Sequence, residues 1–100
     1  MEAGTLTTVV DKERRFISVS EGFAKTLGYR IMDLIGRRID DFTAPGSIDI
    51  EFVFGAFRKL GEMDGIWIFQ HREGRKVVVH YRARLKEDHS FAEIEPLLVA

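Results

Sequence analysis

Cysteine is absent from the 100-residue chain. That excludes a disulfide framework, a thiolate nucleophile and a cysteine-ligated zinc site. An excess of positive charge is lacking too: 15 Lys and Arg face 16 Asp and Glu, whereas a protein that coats nucleic acid carries many unbalanced cations. Uninterrupted apolar stretches such as Val77-Val78-Val79 fall far short of the ~20 residues that span a bilayer. Met1 to Val10 has neither the positive start nor the apolar run of a secretory signal. There is no Ser-His-Asp order, HExxH, GxGxxG or P-loop. The expectation is a soluble, cytoplasmic domain with no nucleic-acid or membrane partner, no metal site and no catalytic residues of its own.

What is present is a folding composition, 45% hydrophobic and 31% charged, outside the range of disordered chains. Thr5 to Val10 is rich in β-branched residues and ends at the polar turn Asp11-Lys12-Glu13-Arg14, and Phe16 to Ser20 alternates apolar with small polar residues. These read as a hairpin of two strands. Phe23, Leu27, Ile31 and Leu34-Ile35 then recur at spacings of three and four, the mark of one buried helical face. Ser20 is placed to cap that helix, and Gly28 and Gly36 divide the segment into two short pieces. After the loop Thr43 to Ser47, a helix is expected from Asp49 to Leu60, stopped by Gly61. Ile66 to Arg72, Lys76 to Lys86 and Phe91 to Val99 read as three strands joined at Glu73-Gly74 and Glu87 to Ser90. Two short strands bury little alone, so the prediction is an α+β fold. A five-stranded antiparallel sheet carries short helices on one face, as a single domain over residues 3–100.

With that order established, the chain resembles the PAS domain, the PAS/PAC sensor family, from Thr5 to about Val99. Phe16 to Phe42 (FISVSEGFAKTLGYRIMDLIGRRIDDF) carries the family's second strand, its Gly-Tyr pair at Gly28-Tyr29 and its Leu-x-Gly at Leu34 to Gly36. The acidic-residue-Gly turn before the central strands is Glu73-Gly74. Two positions depart from the pattern: Ser20 stands where an asparagine often closes the second strand, and Arg30 where a Ser or Thr usually follows Gly-Tyr. Both alter local capping and leave the fold intact. The resemblance implies a sensor or dimerisation domain excised from a longer signalling protein, such as a two-component histidine kinase or a transcription regulator, with any catalysis in the attached effector. It names no ligand.

Absences narrow the cofactor. The light-oxygen-voltage branch of that family bonds a cysteine to flavin, so its photochemistry is excluded here. Haem-binding relatives ligate iron through a histidine on or just before the long helix, and Phe42 to Leu60 holds none; the three histidines are His71, His80 and His89. Haem is not expected, a non-covalent flavin stays open, and no cofactor is assigned.

Strand alternation suggests the inner face. If Trp67 faces the helices, so do Phe69 and His71, with Val77, Val79, Tyr81 and Ala83 from the next strand. Together with Phe54 and Phe57 these rings either fill the core or line a pocket for a small apolar or planar ligand, to which Trp67 and Tyr81 add polar tips. The resemblance places Glu95 where flavin-binding relatives put an inward glutamine; the same carboxylate could equally point to water, and Pro96 marks an edge or bulge beside it. The expected pocket is Phe54, Phe57, Trp67, Phe69, Val79, Tyr81 and Glu95. On the opposite side Leu6, Ile66, Ile68, Val78 and Ile94 are expected to form an apolar patch. In the family that face meets a second copy or flanking helices, which makes a homodimer or the flanking helices of the parent protein the expected partner. Arg72, Arg75, Lys76, Arg82, Arg84 and Lys86 form a basic run that acidic neighbours follow at once, so it reads as a solvated face. Two rival readings stay open: a small α+β enzyme using a polar dyad such as His71 with Glu95, and an interaction module with no ligand.

Overall fold

The alternating segments fold as strands and the three-and-four spacing as helices. The computed structural model describes residues 5–100. It places strands at Leu6–Val10 (β1), Phe16–Val19 (β2), Glu62–Gln70 (β3), Lys76–Lys86 (β4) and His89–Val99 (β5). Helices occupy Glu21–Leu27 (α1), Ile31–Leu34 (α2) and Ile50–Leu60 (α3), with a 3₁₀ turn at Ile39–Phe42 in a stretch where the periodicity marks nothing regular. The expected domain start at residue 3 lies outside the described residues.

Local chemistry sets the helix ends. Phe23 N–H donates to Ser20 Oγ at 3.2 Å, and Thr7 N–H donates to the same oxygen at 3.1 Å, so one hydroxyl ties the start of α1 to β1. Gly28 ends α1 with φ 84°. A Cβ there would also stand 2.7 Å from His71 Cε1, so both backbone and packing require glycine. Asp49 caps α3 by accepting from Phe52 N–H at 3.1 Å, and Gly61 ends it.

The strands form one antiparallel sheet in the order β2-β1-β5-β4-β3. β3 begins at Glu62, four residues before the apolar run at Ile66. Gly65 lies inside the strand just before that run, but Tyr81 sits directly opposite and its ring lies 3.4 Å from where a Gly65 Cβ would be. The tyrosine thus supplies the packing surface that glycine lacks. The two outer strands are partly covered. Gly36 and Arg37 exchange backbone hydrogen bonds of 2.9 Å with Phe16 of β2, and Ala44 N–H donates to Ile68 C=O of β3 at 2.9 Å.

The helices cover one face, and the contact layer is aromatic. Phe16 meets Phe23 and Phe42, Phe23 meets Phe69, and Tyr29 meets Phe42. Trp67 meets Phe69, Phe54 and Tyr81, and Phe54 meets Phe57. Polar links cross the same interface. Trp67 Nε1–H donates to Thr43 Oγ1 at 3.0 Å, and that hydroxyl donates to Ile39 C=O at 2.8 Å.

The β1–β2 turn is fastened to the helical layer by charge. Asp11 Oδ1 accepts from Glu13 and Arg15 N–H, each at 2.9 Å, and Arg14 takes the left-handed φ of 69°. Its guanidinium then makes two bonds of 2.8 Å to Asp40 and lies 5.8 Å from the Phe54 ring centroid. The bonds from Arg14 hold the Asp40 carboxyl below the usual carboxylate range, with desolvation opposing them. A carboxylate whose pKa is lowered by folding adds stability above its unfolded pKa and loses it as pH falls from the ordinary carboxylate range through the folded value. Asp40→Asn should therefore be less stable than wild type at neutral pH, by about 1 to 3 kcal/mol for a charge-assisted pair, and the gap should be smaller at about pH 2 than at about pH 7. Urea unfolding of both proteins at the two pH values measures it; a gap that pH leaves unchanged would refute the assignment.

Candidate functional site

In an antiparallel sheet, directly paired residues share a face. Met63 pairs with Ala83, Ala83 with Ala92 and Ala92 with Thr8, so one row of the helix-facing side has two alanines at its centre. The next row is Leu85, Ser90 and Val10. Thr8, Ala83, Ser90 and Ala92 are all small, and they leave a hollow in the middle of the sheet. α3 bridges it with Val53, Phe54 and Phe57, Ile39 of the 3₁₀ turn closes one side, and Trp67, Phe69, Tyr81 and Ile94 wall the rest. The result is a cavity of about 50 Å³.

Its chemistry is apolar with three hydroxyls and no charged lining residue. Thr8 and Ser90 are buried. Tyr81 is half-buried, and its phenol pKa is pushed up, first by desolvation and then by Asp64 nearby, so it stays a neutral donor. The Trp67 N–H is already engaged by Thr43.

Five of the residues expected from the sequence line this cavity: Phe54, Phe57, Trp67, Phe69 and Tyr81. Val79 is buried in the core but lies outside the lining. Glu95 does not enter it. Glu95 is exposed and pairs with His80, on the opposite face. Leu6 and Ile94 require the reverse correction: both are buried in the core instead of joining the outer patch. One cause explains all three. β5 starts at His89, and Lys86 pairs with His89 across the two-residue turn Glu87-Asp88. That register sets Ile94 opposite Tyr81, hence inward, and Leu6 follows because it pairs with Ile94. The register also shifts between Val78 and Val79, leaving Leu97 as an extra residue beside Pro96 and turning Leu98 outward against Val78. The outer patch is accordingly Ile66, Ile68, Val78 and Leu98.

No motif of large residues marks the hollow in the sequence. The signal was the small side chains Ala83, Ser90 and Ala92 amid bulky strand residues. His71 lies at the end of β3, where Nδ1 accepts from Glu73 N–H at 3.0 Å. Since His71 lies against Gly28 on the helical side and Glu95 faces away, the postulated dyad does not form. Among the described residues, no three His, Asp or Glu side chains converge as a metal ion would need, and no helix is long and apolar enough to cross a membrane. The basic run is interleaved with acids: Arg82 lies between Asp64 and Glu93, and Arg84 beside Glu62.

The sequence profile described as PAS domain matches residues 3–93. Among curated proteins, none matches the chain. Solved structures share its fold at low identity. The PAS domain of an HTR-like protein from Haloarcula marismortui superposes with a TM-score of 0.83 at 19% identity, over 96% of this chain and 89% of that one. The PAS domain of the quorum-sensing receptor RpfR from Cronobacter turicensis, in complex with BDSF, gives 0.82 at 17%, over 98% of each chain. That of a LuxR-family transcriptional regulator from Burkholderia thailandensis, in complex with ethanol, gives 0.78 at 17%, over 95% and 90%.

If the space above Ala92 is open, a larger side chain there should be accepted. Ala92→Leu should change unfolding stability by less than about 1 kcal/mol, whereas Ala44→Leu, at a buried site away from the cavity, should cost about 1 to 3 kcal/mol. Equal losses in urea denaturation would show that the hollow is already filled.

Proposed function

The chain belongs to the PAS domain family, and on that premise we propose that it is a ligand-binding sensor module whose open sheet face passes the signal to a partner. The observation that carries this reading is the cavity between α3 and the centre of the sheet, formed because four small residues occupy the floor while rings form the roof. Structurally similar domains are complexed with small molecules, BDSF in one and ethanol in another. A ligand held between the two layers favours whichever spacing of α3 and sheet suits it, and so shifts a population between arrangements. The size, room for roughly three to five water-sized groups, favours a small ligand over flavin or haem.

The partner face is the patch of Ile66, Ile68, Val78 and Leu98. Ile68, Val78 and Leu98 form one continuous cross-strand row. It fits a second copy of the domain or a flanking helix of a parent signalling protein, such as a histidine kinase or a transcription regulator, in the cytoplasm. On this reading any catalysis belongs to the attached effector. The alternative of an interaction module without ligand keeps the same outer face and differs only in an empty cavity.

Native mass spectrometry of the purified chain tests the cavity. Retained mass, or a thermal shift on screening small neutral compounds, should be present in wild type and lost in Ala92→Leu; persistence in that variant would overturn the assignment. Ile68→Glu tests the face. It should lower the sedimenting mass from dimer to monomer while leaving the circular dichroism spectrum intact, and an unchanged mass would count against the docking role.

A further inference from the structure

We propose that the cavity takes a short, uncharged molecule with an apolar body and one hydroxyl or carbonyl group, and that Thr8 and Ser90 are the residues that bind its oxygen. The inference rests on the reading of the cavity as the ligand site. Three observations lead to it. The volume of about 50 Å³ limits the ligand to a few heavy atoms. Next, no charged side chain lines the space, so an ionised carboxylate or ammonium would lose its hydration without a counter-charge. The third is the placement of the hydroxyls. Thr8 pairs directly with Ala92, and Ser90 lies two residues before Ala92 on the same strand and face. The two hydroxyl-bearing residues therefore flank the alanine at the centre of the floor, on adjacent strands, and are 5% and 8% exposed.

A hydroxyl both donates and accepts. The pair can bind an alcohol as acceptor and donor together, or a carbonyl with two donors. The rest of the ligand would lie under Val53, Phe54 and Phe57 of α3. The indole N–H of Trp67 does not compete for the oxygen, because Thr43 already accepts from it. Chain length would be read by the roof and polarity by the floor.

The test is an NMR titration of the whole chain with n-butanol, sodium butyrate and xenon, on wild type and on the Thr8→Val/Ser90→Ala double variant. Amide dispersion verifies that both proteins fold, and Thr8→Val alone serves if the double variant does not. Butanol should shift the methyl signals of Ala83, Ala92 and Ile94, and the double variant should weaken it about five- to tenfold, as expected for one or two lost hydrogen bonds. Xenon, which forms none, should bind both proteins equally, and butyrate should shift neither. Butyrate binding as tightly as butanol, or a double variant that binds butanol like wild type, would overturn the ligand class while leaving the cavity a binding site. If neither xenon nor butanol enters the wild-type protein, the ligand-site reading fails as well.

Discussion

A single connected run of aromatic rings holds the two layers together. It passes from Tyr29 through Phe42, Phe16, Phe23 and Phe69 to Trp67, and there divides toward Phe54 and Phe57 on α3 and Tyr81 on β4. Of the chain's 8 Phe, 2 Tyr and 1 Trp, only Phe52 and Phe91 lie outside it, and both are exposed. Each buried ring stabilises the fold by about 1.5 to 3 kcal/mol through lost hydration, and each edge contact adds roughly 0.5 to 1.5 kcal/mol. The Arg14–Asp40 pair and the Trp67–Thr43 bond give direction where the rings give energy, because hydrogen bonds demand one geometry and burial does not.

The same rings explain why space is left over. Aromatic side chains on α3 are too broad to descend between strands, so a row of small residues beneath them stays uncovered. The void costs little. At about 24 cal/mol per Å³, a cavity of 50 Å³ destabilises the fold by roughly 1 kcal/mol. A sheet that carried Val or Leu at Ala83 and Ala92 would regain that energy and lose the cavity. Packing in this fold is thus incomplete at one place, between the rings of α3 and the small residues at the centre of the sheet.

The sheet has a second asymmetry. Around the cavity its inner face is apolar apart from the hydroxyls of Thr8, Tyr81 and Ser90, whereas its outer face pairs charges in rows, Asp64 with Arg82 and Glu93, and Glu62 with Arg84. Those rows give way to the apolar row Ile68, Val78 and Leu98 at one corner. Charged rows keep an open sheet soluble, and the apolar corner then remains the part of that face best suited to contact.

Short-range physics was legible in the residues. The strands follow from alternation, the helix starts at Ser20 and Asp49 from capping oxygens, and the helix ends at Gly28 and Gly61 from a backbone sign that other residues adopt at a cost. Five of the cavity-lining rings could be named because large aromatics on a strand face and a helix face must meet somewhere. Which side of the sheet β5 turns inward could not be read so. Alternation shows that Ile94 and Ala92 share a face, but both of its faces carry apolar and polar residues, Phe91 with Glu95 on one and Ile94 with Ser90 on the other. The choice fell to pairing across the Glu87-Asp88 turn, where Glu87 takes φ 58° and matches Lys86 to His89. The amino-acid order determined the elements and their caps, since each depends on neighbours a few positions away. The tertiary structure alone decided the facing of Leu6, Ile94 and Glu95 and the existence of the hollow, because both arise from residues brought together across strands distant in the chain.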